Sequence, residues 1–282
     1  MLRCLSLAGW MLLVSVAASA QTPEQLNQLA RARLAFNQGQ FDQAIAAATE
    51  ARKAPALQAA SSVVLGRARI ERYYGKSEAA DLMAAHEVFS TLNPEKLAAT
   101  DRRDFTIGLG LTVFFEGRPG AAAELLEVAL TGSNPSAPID GRAREKLFDW
   151  WATAVDRAAQ LTPDAGRRRF YERIVERSEM ELARDPYSVA AGYWLAAGAR
   201  GAAELDRAWH AAIAAWIRAK VESAPAGGRT AGADKATDAR ADIDLLVTAA
   251  IIPERARALD PRAAQALISA MRAEWEQIKS SW

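Results

Sequence analysis

Two histidines, His86 and His210, are the first places to look for chemistry, because an imidazole exchanges protons near neutral pH and ligates metals when neutral. His86 is followed by Glu87, but no second histidine stands four residues on, so the pattern that places two zinc-ligating histidines on one helix face is missing. His210 lies between Trp209 and an alanine-rich run, the surroundings of an ordinary helix residue. Asp242 and Asp244 are two apart, which on a helix turns them to different faces and does not build a pair of cooperating carboxylates. Gly108-Leu109-Gly110 lacks the third glycine and the preceding strand of a dinucleotide-binding turn, and glycine at those points suits close helix packing better. There is no G-x-S-x-G elbow and no phosphate loop. The single cysteine, Cys4, provides neither a disulfide framework nor a thiolate metal site. The sequence therefore points to no catalytic set, no metal and no cofactor, and we expect a protein that is not an enzyme.

The tryptophans are better placed for binding. Trp150 and Trp151 are adjacent, so on a helix they cannot face the same way, and one of them is available to a groove or an interface. Trp209 and Trp216 are seven apart and share a face, as do Trp275 and Trp282. A pocket lined by Trp151, Trp194 and Trp209 in the second half of the chain is one reading; ordinary core packing is the other. Arg167-Arg168-Arg169 is followed at once by Glu172 and Arg173 and reads as a solvated helix face.

These residues must be positioned by helices. Half of the chain is apolar, which is enough to fold, and its formal net charge of +1 lacks the strong basic excess of a nucleic-acid binder. Met1–Ala20 has the form of an export signal. Arg3 precedes an apolar run from Leu5 to Ala17, and Ala18-Ser19-Ala20 offers a cleavage site, so the expected product carries no transmembrane segment. Beyond it, side-chain acceptors stand before prolines at helix-start positions: Thr22-Pro23, Asn93-Pro94, Thr162-Pro163, Asp185-Pro186 and Asp260-Pro261. Apolar residues recur at three and four, as in Phe41, Ile45 and Ala48, or Leu125, Val128 and Ala129. The strand-like stretch Ile243–Ile252 is expected to be helix because its flanks are rich in Ala and Arg. The division expected is an export signal over 1–20, a helical array over 21–222, a small-residue linker over 223–237 and a last helical unit over 238–282, with about nine to eleven helices in all.

Residues 30–51 carry small Ala32, a Gly39 turn, aromatic Phe41, then Ala44 and Ala51. Leu65-Gly66 and Leu109-Gly110 follow in register, the latter with Gly117, Ala122, Leu126, Ala129 and Asn134-Pro135. In this pattern the chain resembles the tetratricopeptide repeats, helix-turn-helix units of about 34 residues. The second unit runs about ten residues beyond that length, and the extension is expected at the turn Tyr73–Ala80. The resemblance implies an all-α solenoid of stacked antiparallel helix hairpins with a concave face lined by the first helix of each hairpin. It places Leu29, Arg33 and Asn37, then Val63, Arg67 and Glu71, then Ile107, Leu111 and Phe115 along that face. The implied activity is non-catalytic: a scaffold of a bacterial cell envelope that holds a protein or peptide partner, with Arg33, Asn37, Arg67, Glu71, Leu111 and Phe115 as contact residues. Binding of a small or extended ligand among the tryptophans is the alternative, and a helical lyase- or transglycosylase-like enzyme would require an active carboxylate in a cleft.

Overall fold

The computed structural model describes residues 23–132, 139, 141–223 and 239–282. The expected export signal, most of the linker and Asn134-Pro135 lie outside the described residues. Among the described residues the regular structure is helical, with no strand. Ten helices come first: α1 (Pro23–Asn37), α2 (Phe41–Ala51), α3 (Gln58–Lys76), α4 (Ala79–Thr91), α5 (Ala99–Phe115), α6 (Pro119–Thr131), α7 (Gly141–Gln160), α8 (Asp164–Arg184), α9 (Val189–Gly201) and α10 (Leu205–Ser223). A continuous helix over 239–256, α11, contains a π-helical turn at Val247–Ile251, and α12 (Pro261–Ser281) follows. Each of α1 to α10 packs on its nearest neighbours in sequence, except across the α4–α5 step, where α5 packs more closely on α3. The odd-numbered helices α1, α3, α5, α7 and α9 also touch one after another. This is an all-α solenoid of helix hairpins, in which one hairpin's apolar faces are closed by the next.

The turns show how local sequence sets the repeat. In the first, third and fifth hairpins the same hydrogen bonds end the odd helix. Gln40 N donates to Ala35 O, Arg118 N to Val113 O and Glu204 N to Ala199 O, at 2.9, 3.1 and 2.8 Å. The residue before each donor is left-handed: Gly39 (φ 74°), Gly117 (φ 81°) and Ala203 (φ 64°). This six-to-one closure satisfies orphan carbonyls at the helix end and favours glycine, which has no Cβ to clash there. The second hairpin uses the simpler closure, Ser77 (φ 57°) with its N–H on Tyr73 O at 2.7 Å.

The expected helix starts hold in part. Asp260 caps α12 by accepting from the Arg262 and Ala263 amides, while Asn93 caps only a short 3₁₀ turn over Pro94–Lys96. Asp185 instead accepts from Tyr187 N, and Ser188, three residues on, caps α9 through the Ala191 amide. Thr162 turns its hydroxyl back to the Ala158 carbonyl, and α8 starts without a side-chain cap. The longer second unit is built by longer helices, α3 and α4 having 19 and 13 residues against 15 and 11 in α1 and α2. The residues Tyr73–Lys76 expected in its turn are helical. Val128 is exposed, because the buried stripe of α6 runs through Ala122, Ala123, Leu126, Ala129 and Leu130.

The stretch Ile243–Ile252 is helical, as expected, with the π turn inside it. A proline within a helix removes one N–H and crowds the carbonyl four residues back. Widening the turn just before Pro253 moves that carbonyl aside and keeps α11 continuous.

Candidate interaction surface

The inner side of the solenoid is identified by contacts that skip a hairpin. Arg33 on α1 reaches past α3 to Asp101 on α5, with Nη2 to Oδ1 at 2.7 Å. Lys146 on α7 reaches past α5 to Glu71 on α3, its Nζ 2.8 Å from both carboxylate oxygens. Tyr74 on α3 and Trp150 on α7 bring their rings to 5.1 Å. Side chains can bridge every second odd helix only on the inside of a curve, so these helices line the inner face.

The six contact residues expected from the repeat pattern have divergent fates. Leu111 is 1% exposed and packs in the core with Phe89, Phe105 and Val63, so it is corrected from contact residue to core residue. Glu71 is 7% exposed and held by Lys146, which makes it a structural anchor. Arg67 lies over the Phe36 ring at 5.0 Å and pairs with Asp104 at 3.1 Å, tying α1 and α5 to α3. Arg33 is half-exposed but engaged by Asp101. Asn37 is exposed at the end of α1. Phe115 is the one of the six that belongs to a connected group of rings from α3, α5 and α7.

That surface is aromatic. Tyr73, Tyr74, Phe114, Phe115 and Trp150 form one connected group: Tyr73–Phe115 at 5.1 Å, Phe114–Phe115 at 5.4 Å, and Phe114 and Phe115 each 5.6 Å from Trp150. Most of these pairs are edge-to-face, the arrangement ring quadrupoles favour. Tyr74, the outermost, is 63% exposed. The group is made by adjacent aromatic doublets on successive odd helices: Tyr73-Tyr74 on α3, Phe114-Phe115 on α5, Trp150-Trp151 on α7 and Tyr193-Trp194 on α9. Neighbouring helical residues diverge by about 100°, so a doublet can give one ring to the core and another to the inner face. On α7 Trp151 is fully buried against Phe148 while Trp150 joins the surface group. On α9 Trp194 is buried and Tyr193 is half-buried. The repetition of doublets is visible in the sequence once the odd helices are aligned; reading each tryptophan singly misses it.

The three tryptophans expected to line a pocket are core residues. Trp151 and Trp194 belong to one cluster and Trp209 to another, where it lies 6.0 Å from Trp275. Trp216 joins that second cluster at 5.4 Å from Trp275, so Trp209 and Trp216 share a face as their spacing implies. Two open clefts, of 630 and 440 Å³, lie elsewhere, beside the start of α8 and at the α1–α2 turn, and no tryptophan lines them.

The aromatic run continues into a polar stretch. Trp194 Nε1 donates to Asp149 Oδ1 at 2.7 Å, and Asp149 immediately precedes Trp150 in sequence, so the α7 and α9 doublets are joined through this carboxylate. One turn of α9 away from its start, Tyr193 packs against the Trp194 ring at 5.3 Å. Burial pushes the Tyr193 hydroxyl above its usual range, and the negative charges of Asp242, Asp156 and Asp149 push it further, against the charge of Arg200. Asp156 accepts from Tyr171 OH at 3.1 Å and from Gln160 Nε2 at 2.6 Å, yet burial holds its carboxyl above the ordinary range. Burial and Asp156 push Tyr171 up to about 12. Arg200 is held by both oxygens of Glu254. His86 is exposed, with Nδ1 2.5 Å from Glu116 Oε1, and Glu116 also pairs with Arg118; His210 is exposed on α10.

Among the described residues no group of three or more His, Cys, Asp or Glu side chains is placed to hold a metal ion. Comparison of the chain with family models, with curated proteins and with solved structures finds no match in any of the three.

Proposed function

We propose that this chain is a tetratricopeptide-like scaffold that holds a protein partner by an extended segment lying across the inner face of its odd-numbered helices. The observation that carries this reading is the set of aromatic doublets repeated on α3, α5, α7 and α9; five of their rings, from α3, α5 and α7, meet in one surface with Tyr74 on its rim. A contiguous aromatic patch whose rings are half-buried and whose rim ring, Tyr74, is exposed leaves apolar surface open to water, and aromatic side chains are those most often central to binding. The same face is rigid, because Arg33–Asp101 and Glu71–Lys146 fix neighbouring hairpins before any partner arrives. A prepared surface of this kind loses little entropy on association. The leader-like Met1–Ala20 supports placing the protein in a bacterial cell envelope. No described helix is long and apolar enough to cross a membrane.

The test is site-specific photo-cross-linking in the native envelope, with a benzophenone amino acid at Tyr74 on the aromatic face or at Met83, which is 72% exposed on α4. Discrete adducts from position 74 that are absent from position 83 are expected. Adducts from 83 with none from 74 would move the binding surface off the inner face and overturn the assignment.

A further inference from the structure

The three arginines near the start of α8, expected from the sequence to form one solvated face, go separate ways. Arg167 turns back to the end of α7, where Nε donates to Ala159 O and Nη2 to Thr162 O, both at 3.2 Å, and it pairs with Asp164 at 3.1 Å. Arg168 is balanced along its own helix by Glu172 at 2.8 Å. Arg169 has no hydrogen-bond or ion-pair partner among the described residues. It lines the 630 Å³ cleft beside the start of α8, together with Thr162, Ala165, Gly166, Phe170 and Arg173. Positions 162, 166, 169, 170 and 173 recur at three and four, so they make one wall of the helix, and no carboxylate stands in it. Thr162 gives its hydroxyl to Ala158 O at 2.8 Å, and its methyl carbon lies toward Gly166, where a Cβ would come within 3.0 Å of it. Arg173 lies over the buried Trp151 ring at 5.6 Å and is held by Glu124 and Glu127 of α6. Arg169, four residues before it on the same face, adds a second cation with no anion of its own, a placement that is unfavourable until a negative group enters.

We infer that this cleft is a second binding site, for a small organic anion: an apolar or ring-bearing body against Phe170, Ala165 and Gly166, with one carboxylate, sulfonate or phosphate head on the Arg169 guanidinium. The wall joins an apolar floor to an unspent planar donor, and a guanidinium binds such heads through two parallel N–H groups. Its volume falls within the range of about 300–1,000 Å³ usual for small-molecule sites, and the wall spans only about three helical turns, too short for a long partner segment. None of its residues belongs to the aromatic group of the inner face, so the site stands apart from the scaffold reading.

The experiment titrates two probes of one shape, 2-naphthalenesulfonate and its uncharged sulfonamide, into the full chain and follows them by saturation-transfer NMR. The comparators are Arg169→Gln, Ala165→Glu and Tyr74→Ala, each first checked for unchanged helical circular dichroism. Ala165 is exposed in the first turn of α8, where a carboxylate suits the helix, so that variant reverses charge in the cleft without threatening the fold. The parent should bind the sulfonate about tenfold more tightly than the sulfonamide. Arg169→Gln should erase that preference, Ala165→Glu should weaken the sulfonate while sparing the sulfonamide, and Tyr74→Ala should bind both as the parent does. Equal affinities for the two probes, or a preference that survives both charge variants, would overturn the anion assignment. Loss of binding in Tyr74→Ala would put the probes on the inner aromatic face, and no saturable binding at millimolar concentration would remove the site; either result overturns the inference and leaves the scaffold reading standing.

Discussion

Glu181 shows how much of this protein's charge is spent on holding helices together. It is 6% exposed, accepts both forks of Arg144 from α7 at 2.7 Å and takes a further bond from Arg177 at 3.1 Å. Burial raises its carboxyl, but the Arg144 hydrogen bonds and the charges of Arg144, Arg177 and Arg184 outweigh it and hold the group below the usual carboxylate range. A depressed carboxyl contributes stability that is complete above its unfolded value of about 4.3 and is lost as pH falls through the folded value. Glu181→Gln is therefore expected to cost about 1.5–3 kcal/mol at neutral pH, and urea unfolding should show the gap between variant and parent closing below about pH 4. A gap that stays constant with pH would mean that shape rather than charge holds this contact. Glu71 and Lys146 offer an asymmetric case, since Glu71 is buried while nearly half of the Lys146 side chain remains exposed. Lys146→Met strands a buried carboxylate and should cost about 1–3 kcal/mol. Glu71→Gln frees a lysine that can return to water and should cost less than about 1 kcal/mol. Equal losses by chemical denaturation would show that burial does not set the difference.

At the scale of helices, small residues decide how closely hairpins stack. The Phe89 ring of α4 is 2% exposed and lies between α3 and α5, where a Cβ at Gly66 would come within 2.6 Å of Cζ and one at Gly108 within 2.2 Å. A ring pressed on both sides by backbone cannot swing from one without striking the other. Gly108→Ala is expected to destabilise by about 1–3 kcal/mol through overpacking, and Phe89→Leu should recover part of that loss in the double variant, giving a coupling well above additivity in thermal or urea unfolding. Additive effects would place the ring elsewhere. Much of this level was legible beforehand. The small residues Ala44, Gly66, Gly110 and Ala122 of the repeat pattern, read as points of close helix approach, are all buried. Periodicity of 3.6 reports which residues face the next helix, so it located these positions, whereas of the helix starts read from acceptor–proline pairs only Asp260-Pro261 among the described residues caps an α-helix as expected. It carries no information about contacts that skip a hairpin, because those depend on curvature summed over many packing contacts. For that reason Arg33 and Glu71 read as open groove residues when they are bridges. Leu111 was misplaced for a related reason: a residue on the inner line of α5 is open only where the neighbouring odd helices stand apart, and here they close over it. Trp150 and Trp151 were recognised as facing apart, but only packing against Phe148 decides which of them goes inside.

The whole molecule is a chain of local cores. Leu29, Ala32, Ala48 and Leu65 close the first hairpins, Ile70, Phe89 and Phe105 the next. Leu126, Phe148, Trp151 and Trp194 then join α6, α7 and α9, and Trp209, Ala212, Ile243, Val247 and Trp275 seal the last helices. Stability in such an array is close to a sum of units and neighbour interfaces, so damage should travel only as far as shared contacts carry it. Two features set where it stops. Trp275, fully buried, donates Nε1 to Asp244 at 2.7 Å and packs on Trp209 and Trp216, so α11 and α12 cover the exposed side of α10 as a unit. The bridges that skip a hairpin, Arg33–Asp101, Glu71–Lys146 and Tyr74–Trp150, all lie within α1–α7 and weld that half into one block. Removing residues 239–282 is accordingly expected to strip amide protection from α10 and α9, weaken α8 less, and leave α1–α6 at their parental exchange rates in native-state hydrogen exchange. A uniform fall across all helices would mean that the solenoid unfolds as one cooperative body and that the inner-face bridges do not partition it.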